Sequence, residues 1–311
     1  MSKYMRKTVI LVKTEVTPGT DPVPTGAANA ILAANFNFTP LELTYAERNN
    51  IRGFFGNFES LPAMRIVKCS FDVEAQGSGT AATPTNYGPL LTACGALETI
   101  TTSVAYTPQS PGIKTATIYV SIDGVQHKIT YARGNCKFKL KANGIPYFTF
   151  EFVGLDSAIA DVALPTGTYS AFGTPLVANL TNTTPVTLHA ISTCAVESFE
   201  FDMGNQIEHI VRLGTGNDTV QHTDRKSKGS ITFEMQPIAT KDWFAAIRAG
   251  TIAAFTLTHG TVAGSKVTVA GAQVQLESPS FSEIQGIQML TLALRFNPSS
   301  TGNDDWTITT A

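Results

Sequence analysis

The feature that most constrains this chain is a pattern it states twice. Gly144-Ile145-Pro146-Tyr147-Phe148-Thr149-Phe150-Glu151-Phe152 is echoed by Gly286-Ile287-Gln288-Met289-Leu290-Thr291-Leu292-Ala293-Leu294-Arg295-Phe296. Phe148, Phe150 and Phe152 alternate with Thr149 and Glu151, and Leu290, Leu292 and Leu294 alternate with Thr291 and Ala293. A period of two sends one set to one face of a sheet and the other set to the opposite face. Each copy therefore reads as a half-buried antiparallel strand entered through a glycine turn.

The neighbours of these strands match in the same order. Lys68-Cys69-Ser70-Phe71-Asp72-Val73-Glu74 corresponds to Lys228-Gly229-Ser230-Ile231-Thr232-Phe233-Glu234. After each comes a short apolar segment ending in glycine, from Asn86 to Gly95 and from Lys241 to Gly250. In the second, Trp243, Phe244 and Ile247 share one helical face, and Gly250 stands where a C-terminal cap belongs. Phe36 and Phe38 alternate with Asn35 and Asn37, as Phe199 and Phe201 alternate with Glu200 and Asp202. Strand, short helix, strands and a final long strand follow in that order in both halves, which points to an internal duplication. The expected fold is all-β with short flanking helices, arranged as two tandem β-sandwich or barrel domains. The boundaries are an extended N-terminal arm over 1–35, a first domain over 36–154, an extended linker over 155–195 and a second domain over 196–311.

A length of 311 residues accommodates two such domains. Charged residues make up only 15%, well below the usual quarter, as expected where much of the surface faces other subunits. With a net charge of −2 and no Lys/Arg cluster, sequence-neutral nucleic-acid binding is disfavoured, because it works through clustered cations that release counterions. Cys69, Cys94, Cys136 and Cys194 lack C-x-x-C spacing and no secretory signal precedes them. They read as free thiols in a protein made in a cytoplasm. The apolar run Val9–Val12 is too short to span a membrane and reads as a strand. Thr17 to Gly26 is too rich in proline and glycine for helix or sheet and reads as an arm that is either loose or laid across a neighbour.

Asp123-Gly124, between Ile122 and Val125, carries a type I′ hairpin signal. Tyr45 to Ser60 is too glycine-broken for a helix and too aromatic for a free loop. Its Phe54, Phe55 and Phe58 would form a costly exposed patch and are expected to contact a partner. The counterpart Met203–Leu213 places Ile207, Ile210 and Leu213 in the same role, ahead of a polar tip at Gly214–Asp218. Both segments read as long hairpins reaching beyond the sheet.

No credible catalytic, cofactor or metal site emerges. Gly214-Thr215-Gly216 has neither the length nor the lysine of a phosphate loop, and Gly77-Ser78-Gly79 is not a nucleophile elbow. His222-Thr223-Asp224 reads as a solvated turn, and Asn303-Asp304-Asp305 lacks the downstream glutamate of a calcium loop. Lys137, Lys139 and Lys141 form a basic stripe, either solvated or set to pair with a neighbour's carboxylates. No enzyme is expected.

The arm from Thr14 to Thr25, the Gly77-Ser78-Gly79 loop and the run Tyr87–Gly95 resemble tail tube proteins of long-tailed, non-contractile bacteriophages. So do Thr223-Asp224-Arg225-Lys226, Asp242–Ala246, Leu257-Thr258-His259-Gly260 and Gly302-Asn303-Asp304. The resemblance spans nearly the whole chain and implies a tube domain that rings a channel, with simple members forming hexamers. Carrying two domains, this chain would close a pseudo-sixfold ring as a homotrimer. The implied partners are further copies of itself and tail-tip, tape-measure and terminator proteins, with genomic DNA passing through without specific binding. Asp72, Glu74, Glu151, Glu200, Asp202 and Glu234 are the candidates for lining the channel. A two-domain adhesin or carbohydrate-binding module is the alternative, but only Trp243 and Trp306 are available for a stacking groove.

Overall fold

The structure is a computed structural model that describes residues 2–214 and 218–311. Along the first half run β1 (Thr8–Thr14), α1 (Gly26–Asn29), β2 (Ala30–Ile31), β3 (Ala34–Ala46), β4 (Leu61–Glu74) and α2 (Gly88–Ala93). Then follow β5 (Ala96–Ile100), β6 (Val104–Pro108), β7 (Ala116–Ile122), β8 (Val125–Lys141) and β9 (Tyr147–Asp156). The middle contributes β10 (Ala160–Asp161) and β11 (Thr183–Leu188). The second half supplies β12 (Val196–Asp202), β13 (Asn205–Val211), β14 (Asp218–Arg225), β15 (Lys228–Glu234) and α3 (Trp243–Arg248). It ends in β16 (Ile252–His259), β17 (Val267–Ile284), β18 (Ile287–Phe296) and β19 (Thr307–Thr310). The fold is thus nearly all β, as the alternation dictates.

Each half is a β-sandwich built on one long strand that serves two layers. In β8, residues from Val125 to Ala132 pair with β7, while Ile129, Thr130 and the residues from Arg133 to Lys139 pair with β9. The ladder slips between Thr130 and Arg133, and Tyr131 takes a φ of 56° there. Such a bulge bends the strand and lets it turn a corner between sheets. In β17 the first part pairs with β16 and the rest with β18, with a slip between Glu277 and Ser280 and Ser278 at φ 45°. Val125–Tyr131 and Asn135–Lys141, which the sequence pattern reads as two strands, are therefore one bent strand.

The hairpin at Asp123-Gly124 forms as expected, both residues having positive φ, 42° and 90°. In α3, the Asp242 carboxylate accepts the Ala245 N–H at 2.8 Å as an N-cap, and Gly250 takes a φ of 60° past the C-terminus. Trp243 and the α2 residues Leu90 and Leu91 are fully buried.

Three segments behave differently from their sequence reading. Much of the arm is core: β1 pairs along its whole length with β7 and buries Ile10 and Val12. The rest lies across its own chain, where the buried Glu15 carboxylate accepts from the hydroxyls of Thr115 and Thr117 and the N–H groups of Gly19 and Tyr131. The middle segment does not merely connect: β11 pairs with β16 as β1 pairs with β7. Finally, Trp306 to Thr309 reads in sequence as one edge strand, but β19 lies between β17 and β6 and ties the second half to the first.

One apolar core runs through both halves. Phe148 packs on Phe138 at 5.2 Å between centroids, Phe138 on Phe199 at 6.1 Å and Phe199 on Phe255 at 4.7 Å. Each fully buried ring of this kind contributes about 2–3 kcal/mol of transfer free energy. The four cysteines are free thiols, three buried and Cys194 half-buried.

Candidate assembly surfaces

The two halves repeat their strand order and their register. In the first, β3, β4, β9 and β8 are neighbours in that order; in the second, β12, β15, β18 and β17. Glu74 faces Tyr147 and Phe71 faces Phe150; at the matching positions Glu234 faces Met289 and Ile231 faces Leu292. Phe38 faces Cys69 as Phe201 faces Gly229. Lys139 faces Tyr147 as Ser282 faces Met289. Three independent strand pairings agree at these positions.

The halves join edge to edge. β12 pairs with the last part of β8, setting Asp202 opposite Lys137, Phe201 opposite Phe138 and Glu200 opposite Lys139. An eight-stranded wall results, β3-β4-β9-β8-β12-β15-β18-β17. The inner face of its seam is dry, with Phe138 and Phe201 buried. On the outer face charge alternates across strands, which favours this pairing over a like-charged one. Lys137 also binds Glu151 at 2.7 Å. Lys137 and Lys139 of the lysine stripe thus stand in register with Asp202 and Glu200 of the second half.

All six predicted carboxylates project from that outer face. Asp72 and Glu74 alternate with buried Phe71 and Val73; Glu151 lies between buried Phe150 and Phe152. Glu200 and Asp202 flank buried Phe201, and Glu234 follows buried Phe233. Partial burial pushes the Glu74 carboxyl upward. A single groove on this face is lined by Asp72, Tyr147 and Thr149 of the first half and by Glu200, Thr232 and Ser282 of the second. Residues from so many strands meet in one groove only because the wall is concave.

The two long connections diverge. β3 and β4 continue as a ladder to Ala46 and Leu61, and the loop 47–60 stands beyond it. Phe54 and Phe55 are exposed there, while Phe58 is half-buried. The Arg52 guanidinium stacks over Phe54 at 4.5 Å and Phe58 at 4.2 Å, and Arg48 pairs with Glu59. In the second half, β13 and β14 form their own two-stranded sheet, which folds back over the first half instead of reaching outward. Gly204 makes the turn, at φ 68°, where a Cβ would fall 2.0 Å from the Lys226 carbonyl oxygen. Asn205 donates through Nδ2 to the Cys94 carbonyl at 2.6 Å, and the Arg133 guanidinium donates to the Val220 carbonyl at 2.9 Å. Ile207 thus lines a groove with Lys68, Ser70 and Glu151 of the first half. Ile210 is half-buried and Leu213 exposed, and residues 215–217 of the expected polar tip lie outside the described residues.

Residues with chemical potential have structural partners. His222 lies on β14, not in a solvated turn. His189 binds the Val274 carbonyl at 2.8 Å, and His259 holds Thr183 at 3.0 Å and the Leu176 carbonyl at 3.1 Å. Asp304 caps Ser299, while buried Asp305 receives a two-point contact from Arg225 at 3.0 and 3.1 Å and a hydroxyl from Ser227. This buried ion pair was not foreseen; its partners lie far apart in the chain, and no local spacing signals it. Among the described residues no group of three or more His, Cys, Asp or Glu side chains converges, and no helix is long and apolar enough to cross a membrane.

A concave polar wall with an open strand edge at each end, backed by a continuous apolar core, defines an all-β protein. The family model described as phage tail tube protein matches residues 5–305, and the chain belongs to that family. It is a structural component of the phage tail, and so of the virion. Comparison with curated proteins gave no match.

Proposed function

We propose that this chain is two tail tube units fused by internal duplication, and that three copies close into a pseudo-sixfold ring. Rings of this kind stack into the tube that conducts the genome into the host. The repeated register carries this reading: Glu74–Tyr147 and Glu234–Met289, Phe38–Cys69 and Phe201–Gly229 occupy matching places in the two halves. The first unit is 36–154 and the second 196–311. The arm 1–35 and the linker 155–195 each lend a strand to the unit that follows.

The concave face is the channel wall. Its carboxylates repel phosphate, Lys137 is engaged by Glu151 and Lys139 faces Glu200 across the seam, so DNA slides past without being held. Phe54, Phe55 and Phe58 on one connection and Ile207, Ile210 and Leu213 on the other contribute contacts between subunits. The remaining partners are tail-tip, tape-measure and terminator proteins. The chain is made in the host cytoplasm and works without catalysis or cofactor. Negative-stain microscopy of the purified protein tests the reading: rings or tubes with a central channel are expected, and a protein that stays monomeric even with its tail initiator would refute it.

A further inference from the structure

In each unit the long strand turns from one sheet into the next at the same place. Ile129 and Ala132 of β8 face Ile118 and Ala116 of β7, so β8 holds one residue more than its partner there. Gly271 and Val274 of β17 face Phe255 and Ala253 of β16 with the same extra residue. The other side of each strand agrees, for Arg133 faces Val153 as Gln275 faces Arg295. Tyr131 stands in the slip of both β8 ladders and faces no partner in either. Its N–H must be satisfied from elsewhere.

The strand that each unit takes from the segment ahead of it ends at this corner. Val12 of β1 faces Ile118, and Leu188 of β11 faces Phe255, the matching residue of β16. Just past Val12 stands Glu15, only 5% exposed. Its Oε1 accepts the Tyr131 N–H at 2.9 Å and the Thr117 hydroxyl at 2.7 Å. Its Oε2 accepts the Gly19 N–H and the Thr115 hydroxyl, both at 2.6 Å. Directly after Leu188 stands His189, 3% exposed, whose Nε2 lies 2.8 Å from the Val274 carbonyl oxygen. A carbonyl only accepts, so that nitrogen carries the hydrogen. One corner is given an acceptor and the other a donor.

We propose that Glu15 and His189 are positioning residues that hold the two corners, fixing the angle between each half of the wall and the sheet behind it. The proposal concerns the single chain and stands independently of ring formation. Neither 36–154 nor 196–311 holds its corner without the segment ahead of it. The chemistry at position 15 requires a carboxylate. Each oxygen meets one backbone N–H, so a side-chain amide in either orientation turns its NH2 group toward a donor that cannot accept. Position 189 requires only a donor at the reach of Nε2.

Residue-resolved amide hydrogen exchange on the full-length chain tests this. In the unaltered chain Tyr131, although it has no ladder partner, should exchange at least about a hundredfold more slowly than in an unstructured peptide. An unprotected Tyr131 amide would overturn the proposal without any variant. Glu15→Gln keeps the shape of the side chain and is expected to speed exchange at Tyr131 or Gly19 by at least about tenfold, as for a buried donor that loses its partner, with β17 unaffected. His189→Leu is expected to raise exchange across 271–276 by a similar factor, while His189→Gln, which still carries a donor, retains the native rates. Both replacements meet the same left-handed backbone at φ 47°, so their difference reports the donor. Native rates at Tyr131 and Gly19 in Glu15→Gln would overturn the role of the carboxylate, and equal rates in the two His189 variants that of the imidazole.

Discussion

His222 sits against the C-terminal end of α2, where its Nε2–H donates to the Ala93 carbonyl at 3.3 Å and the ring lies beside Gly95. Burial, the largest cause, and the nearby Arg133 and Arg225 pull its pKa down to about 4. An unfolded histidine titrates near 6.5, so between about pH 6.5 and 4 the unfolded chain binds the proton and the folded chain does not. Stability contributed by neutral His222 is therefore complete above about pH 6.5 and lost as the pH falls toward 4. At about 1.4 kcal/mol per unit, the loss is on the order of 3 kcal/mol. Denaturant titrations of the native chain and His222→Gln should show the variant with the shallower acid slope; equal slopes would refute this role. In sequence, His222-Thr223-Asp224 looks solvated because its neighbours are polar. What buries the ring, the end of α2, lies more than a hundred residues earlier.

Elements with local signals were legible: the Asp123-Gly124 turn, the capped α3 helix and the alternating strands with their faces. That alternation also placed the six carboxylates together, since burying the phenylalanines leaves the acids only the other side. Less legible were the partners of β1, β11 and β19, which lie far away in the chain, and the bulge that makes β8 one strand. The fold-back of β13–β14 depends on Asn205 and Arg133 reaching across units, which no periodicity reveals. At this scale the polar wall makes its own prediction. Replacing Glu74 and Glu234 by lysine changes exposed or half-buried outer-face positions, so tubes should still form while genome ejection slows, about tenfold if one phosphate contact of about 1.4 kcal/mol is gained. Unchanged ejection in phage that assemble normally would show that this face does not line the channel.

Across the whole molecule, the wall holds two matched four-stranded sets, joined by a seam with charge on one face and phenylalanine on the other. Its two ends carry open strand edges. The repeated strand order was readable because the apolar pattern repeats in order; the seam was not, because nothing local says that β8 meets β12. Pairwise strand registers tie these observations together, and they bear directly on stoichiometry. On the proposed reading, a chain with two tube units needs three copies to complete six positions. Native mass spectrometry of the smallest closed ring measures that number. The expected mass is about 100 kDa, three times the chain mass of 33.2 kDa. A closed ring of about 200 kDa, six chains, would contradict the pairing of two units per chain, even in a working tail tube.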